Sequence, residues 1–368
     1  MIPGDGIGPE VVAEARRVLE KVIELRNLEL EFEEFPLGAG HYLKTGEVLT
    51  EETLQRLSRK DALLLGAMGD PRVKPGILEK GVLLRLRFHF DQYVNLRPVR
   101  LYEGVPSPLS GSNRKIDMLF VRENTEDFYV GLGGRVKGGL SNSSLKLTRR
   151  AFEAKFDVGI DLKDEEELAF QIGVISKHGA RRVMDFAFQL AKKNGIQLVT
   201  SVDKANVLTD MYGLWREACE EASAKYGVAK EFLYVDAVSL HMVRNPERFG
   251  LLVAPNLFGD ILTDLGAALQ GGLGLAPSGN INPAGVSMFE PVHGSAPDIA
   301  GKGMANPLGA ILSSAMMLET LGHVPAAQDI EEAVKRVLKS GKHMTADMGG
   351  KTTTSKMTDE VLAELAPR

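Results

Sequence analysis

Short, nearly continuous apolar runs alternate along this chain with segments of helical periodicity, and few architectures accept that order. The runs DALLLGAMG (61–69), IDMLFV (116–121), IQLVTSV (196–202), EFLYVDAV (231–238) and LLVA (251–254) read as strands buried on both faces. Between them, ARRVMDFAFQLAKKNG sets Val183, Phe186, Ala187 and Leu190 at i, i+3, i+4 and i+7, a one-faced helix ending at Gly195. Strand then helix, repeated, predicts an α/β fold. At 368 residues the chain is long enough for about two domains, each with its own core.

Charge and hydropathy exclude several partners. The net charge is −5 and the Lys and Arg residues are scattered rather than striped, so no nucleic-acid partner is expected. No run of about 18 apolar residues exists and the N-terminus does not read as a signal peptide, so no membrane partner is expected. Cys219 is a single cysteine and cannot form an internal disulfide, which fits a reducing, cytoplasmic setting. Only Met1 and Ile2 precede PGDGIGPE, so the sequence is expected to begin inside its first strand. Residues 131–167 are Gly/Ser-rich and then charged, with no clear period, and are expected to form a protruding arm.

The stretch GDGIGPE (Gly4–Glu10) stands before the helical pattern EVVAEARRVLEKV and invites a pyrophosphate-cradle reading. Its third glycine is misplaced for G-x-G-x-x-G, and a tight β-to-α turn with Pro9 near the helix start explains it as well. The cofactor is therefore not placed there.

Arg87, Arg97 and Arg122 each stand beside an apolar run, where a guanidinium is costly unless paired and suits bidentate binding of carboxylates. Structural ion pairs are the alternative for each one taken singly. Tyr129 follows in VRENTEDFY, and Lys204 closes the strand LVTSVDKAN, where burial without a partner would lower its pKa and suit it to proton transfer. In PNLFGDILTDLG, Asp260 and Asp264 are one helical turn apart, a repulsive spacing. With Asp236 at the end of LYVD they make a set of hard oxygens suited to Mg2+ or Mn2+, the alternative being a solvated helix face.

Two long stretches, NLFGDILTDLGAALQGGLGLAPSGNI and MFEPVHGSAPDIAGKGMANP, resemble the β-decarboxylating dehydrogenases, the family of 3-isopropylmalate, isocitrate, homoisocitrate and tartrate dehydrogenases. The resemblance runs from PGDGIGPE to the C-terminal helix, and LLRLRF…NLRPVRLYEGVPSPLSG is most similar to the isopropylmalate members. It implies a two-domain isopropylmalate/isocitrate dehydrogenase-like α/β fold, not a Rossmann dinucleotide fold. The expected division is 1–93 with 271–368 on the cofactor side, and 94–270, including the arm, for substrate, metal and dimerisation.

The same resemblance implies roles. Arg87, Arg97 and Arg122 hold the malate carboxylates, Tyr129 and Lys204 are the acid–base pair, and Asp236, Asp260 and Asp264 hold the metal. Lys204 and Asp236 are expected to complete the site of a neighbouring subunit, which makes the homodimer obligatory. NAD is expected along EPVHGSAPDIAGKGMAN, with Glu290, His293, Gly294, Ser295, Ala296, Pro297, Asp298 and Asn306 near it. A carboxylate at Asp298 accepts a ribose hydroxyl and repels the 2′-phosphate of NADP. The implied reaction oxidises the C2 hydroxyl of a 2-hydroxy-3-carboxy acid, followed by loss of CO2. Leu83 and Leu84, one helical turn before Arg87, are expected to meet an isopropyl γ-substituent, where isocitrate members carry Ser and Asn and homoisocitrate members an arginine; packing into the core is the alternative. Two features depart from the isopropylmalate pattern: RENTEDFY is closer to isocitrate wording than to RELTGGIY, and Arg85 adds a cation near the pocket. Isocitrate, homoisocitrate and tartrate or malate decarboxylation stay as alternatives, and the complete residue set argues against a non-catalytic regulatory subunit.

Overall fold

The computed structural model describes residues 1–109 and 115–365, so the end of the PSPLSG stretch lies outside the described residues. In chain order the elements begin with β1 (Ile2–Gly4), α1 (Gly8–Arg26), α2 (Ala39–Thr45), α3 (Glu51–Leu57), β2 (Ala62–Ala67), a π-helical turn (Glu79–Leu84), α4 (Arg85–His89) and β3 (Val94–Arg100). There follow β4 (Asp117–Glu123), β5 (Asp127–Thr148), β6 (Glu153–Val174), α5 (Lys177–Lys193), β7 (Leu198–Asp203), α6 (Thr209–Tyr226), β8 (Ala229–Tyr234) and α7 (Val235–Arg244). The remainder is β9 (Leu251–Ala254), α8 (Asn256–Leu269), β10 (Pro277–Ile281), β11 (Ser287–Pro291), α9 (Leu308–Thr320), α10 (Val324–Lys339) and α11 (Thr354–Glu364).

The chain gathers into two compact units, Met1–Phe120 with Ser239–Gly250 and Leu262–Arg368, and Val121–Val238 with Leu251–Ile261. Compared with the expected division at 93/94 and 270/271, residues 94–120, 239–250 and 262–270 fall in the first unit.

In the first unit the strands run β1-β2-β11-β10-β3. β1, β2 and β11 are parallel, while β10 is antiparallel to both β11 and β3. Helix α1 buries Val11, Ala15, Val18, Leu19 and Val22, the stripe of period 3.6 that its sequence carries, and Pro9 stands in its first turn where no intrahelical N–H bond is lost. Helix α9 is buried from Leu308 to Leu318 on all sides, as its lack of charged residues over that span requires. Each fully buried Leu, Ile or Val side chain contributes roughly 1.5–3 kcal/mol.

In the second unit β7 lies between β8 and β9, parallel to both. Helix α5 buries Val183, Met184, Ala187, Phe188 and Ala191, and Ser176 caps its start by accepting from the Gly179 N–H. Gly195 follows at φ +68°, a left-handed C-terminal position that glycine occupies without a Cβ penalty.

Two expectations are corrected. EFLYVDAV is not strand throughout: β8 ends at Tyr234, and Val235 starts α7, so Asp236 lies in the first turn of a helix. The arm is regular: β5 and β6 form an antiparallel ribbon spanning 127–174, wider than 131–167, with Thr148 opposite Glu153 and Asp127 opposite Val174. The period was present in the sequence. Phe152, Ala154, Phe156, Val158, Ile160 and Leu162 alternate strictly with polar or glycine residues, which is the pattern of a strand with one apolar face. Glycines and charges on the opposite face masked it.

Candidate functional site

Asp260 stands one turn into α8 and is held by two neighbours of its own unit. Its Oδ1 accepts from Arg122 Nη1 at 2.5 Å and its Oδ2 accepts from the Tyr129 hydroxyl at 2.7 Å. Arg122, in β4, is almost fully buried, and its guanidinium also lies over the Tyr129 ring, 5.3 Å from the centroid. The side of the guanidinium away from Asp260 is taken by Asn256. Nε donates to the Asn256 backbone carbonyl at 2.9 Å and to its Oδ1 at 3.1 Å, and Nη2 donates to the same Oδ1 at 2.7 Å. Gly259 lies beneath: a Cβ there would be 2.6 Å from Arg122 Cγ.

The turn that carries Tyr129 is pinned by buried acids. Glu123 accepts from the Thr125 N–H, the Thr125 hydroxyl and the Glu126 N–H. Glu126 accepts from the N–H and hydroxyl of Ser176 at 2.7 and 2.6 Å. Asp127, at φ +62°, accepts from the Leu257 N–H at 2.8 Å and so satisfies a donor of the first turn of α8. Burial pushes the Glu126 carboxyl up to about 7, aided by the nearby Glu123 charge. Burial likewise raises Asp127 to about 6.

Asp264, on the next turn of α8, is 60% exposed and lies 3.6 Å from Arg97 Nη1, which also donates to Thr263 Oγ1 at 2.6 Å. The repulsion read from the Asp260–Asp264 spacing is thus already offset by one arginine for each carboxylate. Arg87 is buried in α4. Arg85 does not stand free beside it: its guanidinium donates to the Leu49 carbonyl and pairs with Glu51. Leu83 and Leu84 end a π-helical turn rather than an α-helical one, which changes their angular offset from Arg87. Leu83 packs against the apolar cluster of Val82, Leu86 and Phe90, and Leu84 is half-buried.

Lys204 follows β7 directly and is not unpartnered. Its Nζ donates to Asp236 Oδ1 at 2.5 Å and lies 5.7 Å from the Tyr234 ring centroid. That hydrogen bond holds the Asp236 carboxyl below the ordinary range. Asp236 does not join Asp260 and Asp264: among the described residues no group of three or more His, Cys, Asp or Glu side chains is placed to hold a metal. Asp260 and Asp264 each offer the hard carboxylate oxygens that a divalent cation takes, partly open to solvent.

The GDGIGPE stretch seats the loop HGSAPD. Ile7 N–H donates to the Ser295 carbonyl at 2.8 Å, and the Gly301 N–H donates to Glu10. Gly6, at φ +57°, leaves no room for a side chain, since a Cβ there would be 1.9 Å from that same carbonyl oxygen. Asp5 ties in two more backbone segments, accepting from the Ala39 N–H at 2.7 Å and the Gly69 N–H at 3.0 Å. These supporting residues were missed because the glycines were weighed only as phosphate ligands.

Within the loop, His293 Nδ1 is 3.0 Å from the Gly294 carbonyl oxygen, its Nε2 is buried with no hydrogen-bond partner among the described residues, and burial lowers its pKa. Gly294, Pro297 and Asp298 are exposed; Ser295 and Ala296 are half-buried, and Ala296 is held at φ +38°. Glu290 accepts from Asn280 Nδ2 at 2.7 Å, and Asn306 donates to Asp347 at 3.1 Å. An orphaned imidazole nitrogen and an exposed carboxylate fit a ligand with both donors and acceptors, as a dinucleotide has.

Among known proteins, the family described as isocitrate/isopropylmalate dehydrogenase matches residues 1–361. A 3-isopropylmalate dehydrogenase from Thermobifida fusca is 46% identical over 100% of this chain and 97% of its own length. One from Streptomyces coelicolor is 44% identical over 100% of the chain and 97% of its own. Among solved structures, an isocitrate dehydrogenase from Methylococcus capsulatus superposes with a TM-score of 0.84 at 34% identity, covering 99% of this chain and 98% of that one. A β-decarboxylating dehydrogenase from Thermococcus kodakarensis gives 0.76 at 36% identity, covering 99% and 94%. With a family match over residues 1–361 and full-length relatives at 43–46% identity, the chain belongs to the isocitrate/isopropylmalate dehydrogenase family and is a decarboxylating dehydrogenase that uses NAD and a divalent metal, Mg2+ or Mn2+.

Proposed function

We propose that this enzyme oxidises 3-isopropylmalate to 4-methyl-2-oxopentanoate and CO2, a step of leucine biosynthesis, as a cytoplasmic homodimer with shared active sites. The observation that carries the substrate is the full-length similarity of 43–46% to relatives named for it. Apolar Leu83 and Leu84 before Arg87 support it, since a γ-carboxylate would find no partner in leucine side chains. Arg85, an extra cation that could have argued for an acidic γ-group, is tied to Leu49 and Glu51.

In this reading Arg87, Arg97 and Arg122 bind the two carboxylates of the substrate and fix its orientation. Lys204 takes the proton of the C2 hydroxyl, and Tyr129, held by Asp260, returns a proton to the carbon left by CO2. NAD would supply the hydride acceptor, and a divalent cation, which Asp260, Asp264 and Asp236 of a second copy would hold, would supply Lewis acidity. Glu290, the loop His293–Asp298 and Asn306 border the dinucleotide. The functional division remains 1–93 with 271–368 on the cofactor side and 94–270 for substrate, metal and dimerisation.

Two helices support the dimer. On α7, Leu240 and Val243 are exposed and share one stripe with Asp236; on α8, exposed Ile261 shares a stripe with Leu257 and Asp264. Large apolar side chains and candidate metal carboxylates on the same faces suit a surface that a second copy covers. The apolar face of the arm suits the same partner.

The test is NADH production with isopropylmalate, isocitrate, homoisocitrate, malate and tartrate, with and without Mg2+. Turnover of isocitrate above isopropylmalate would reject the substrate assignment and favour the isocitrate reading.

A further inference from the structure

We propose that Asn256 is a positioning residue that presents Arg122 to a substrate carboxylate with its charge undiminished. The proposal rests on Arg122 being a carboxylate-binding residue, as read above.

Arg122 has five N–H donors, one on Nε and two on each terminal nitrogen. The Nε hydrogen and one Nη2 hydrogen go to Asn256, and one Nη1 hydrogen goes to Asp260. Among the described residues this leaves one N–H on each terminal nitrogen as a donor for a carboxylate. Asn256 selects that edge, because it occupies the Nε side with a rigid acceptor. The residue is itself fully buried and is anchored by the first turn of α8 and by donation from Nδ2 to the Glu126 carbonyl at 3.3 Å. Gly259, four residues before Thr263 and three after Asn256, lets the arginine lie flat on the helix.

The choice of amide matters. An aspartate at 256 would accept the same hydrogen bonds and bring a second negative charge to a guanidinium that already faces Asp260. The arginine would then be overcompensated, and an incoming carboxylate would meet repulsion in a partly desolvated place. Asn256 holds the guanidinium by geometry alone and leaves the charge for the substrate.

The experiment compares wild type, Asn256→Asp and Asn256→Ala, with Mg2+ and NAD, for the 2-hydroxy acid of the panel that wild type oxidises. Steady-state constants and thermal midpoints are read for each. Asn256→Asp is expected to raise KM for the acid on the order of 10–100-fold, the range for a charged hydrogen bond, while kcat and KM for NAD stay within about twofold. Asn256→Ala should raise the same KM by roughly five- to tenfold, since Arg122 loses its fixed acceptor. If Asn256→Asp does not fold, Asn256→Ala decides. Unchanged KM for the acid in the folded variants overturns the proposal, as does a rise in both KM values together that simply follows the thermal midpoint. Failure of wild type to oxidise isopropylmalate would instead reject the substrate reading, and would be seen without any variant.

Discussion

The Tyr129 hydroxyl and the Asp260 carboxylate are joined by a 2.7 Å hydrogen bond across 131 residues of sequence. The phenol assigned to proton delivery and a carboxylate assigned to the metal are therefore one unit. Asp260 also neutralises buried Arg122, so in the proposed reading one carboxylate would serve both charge balance and metal binding.

Asp260→Asn accordingly has two expected effects. Activity should fall severely, and Mg2+ should no longer raise the thermal midpoint, whereas wild type gains about 2.7 kcal/mol at a hundredfold excess over Kd. The metal-free variant should also lose about 1–3 kcal/mol, because Arg122 keeps its charge with one partner fewer. Melts of both proteins with and without Mg2+ read both terms; retained Mg2+ stabilisation in the variant would remove Asp260 from the metal site.

Gly6→Ala places a methyl 1.9 Å from the Ser295 carbonyl oxygen at a backbone φ of +57°. The loop must shift to admit it. KM for NAD is expected to rise about tenfold or more with KM for the 2-hydroxy acid little changed, a split that initial-rate kinetics measures directly.

Asp298→Ser should relax cofactor choice. Loss of the exposed carboxylate removes an acceptor for the ribose hydroxyl and a repulsion against a 2′-phosphate, so kcat/KM for NAD falls and that for NADP rises, each by about tenfold. An unchanged ratio would place the adenosine ribose elsewhere.

The proposed sharing of sites between subunits makes a complementation prediction. Lys204→Ala and Tyr129→Phe should each be nearly inactive alone. Mixed dimers made by denaturing and refolding them together should regain up to about a quarter of wild-type activity, because half the dimers are mixed and each has one intact site. No recovery in dimers shown to be mixed would place both residues in the same subunit's site.

Glu126 gives a pH test. Its carboxyl is raised by burial to about 7 from an ordinary 4.5. The folded state therefore binds the proton more tightly than the unfolded chain, and stability from this group is full below about pH 4.5 and is lost as pH rises through about 7. Glu126→Gln, which keeps the size and an acceptor oxygen, should flatten the fall of the thermal midpoint between those values. A parallel profile in both proteins would show that the group does not titrate there.

Much of this protein was legible in one dimension. LLVA became β9 residue for residue, and the stripes of α1 and α5 bury the faces their periodicity marks, because local apolar spacing alone decides which side of a strand or helix leaves water. The i,i+4 aspartates were visible for the same reason. Tertiary structure decided what those groups touch. Asp236 became a helical residue bonded to Lys204 because β8 ends two residues earlier, a boundary that apolar content does not mark. Arg122 met Asn256 and Asp260 more than 130 residues away, and GDGIGPE became the seat of a loop that begins with His293. Such pairings rest on strand order and helix packing, and residue spacing cannot encode them because every partner that satisfies a guanidinium or a carbonyl is locally equivalent until the chain has folded.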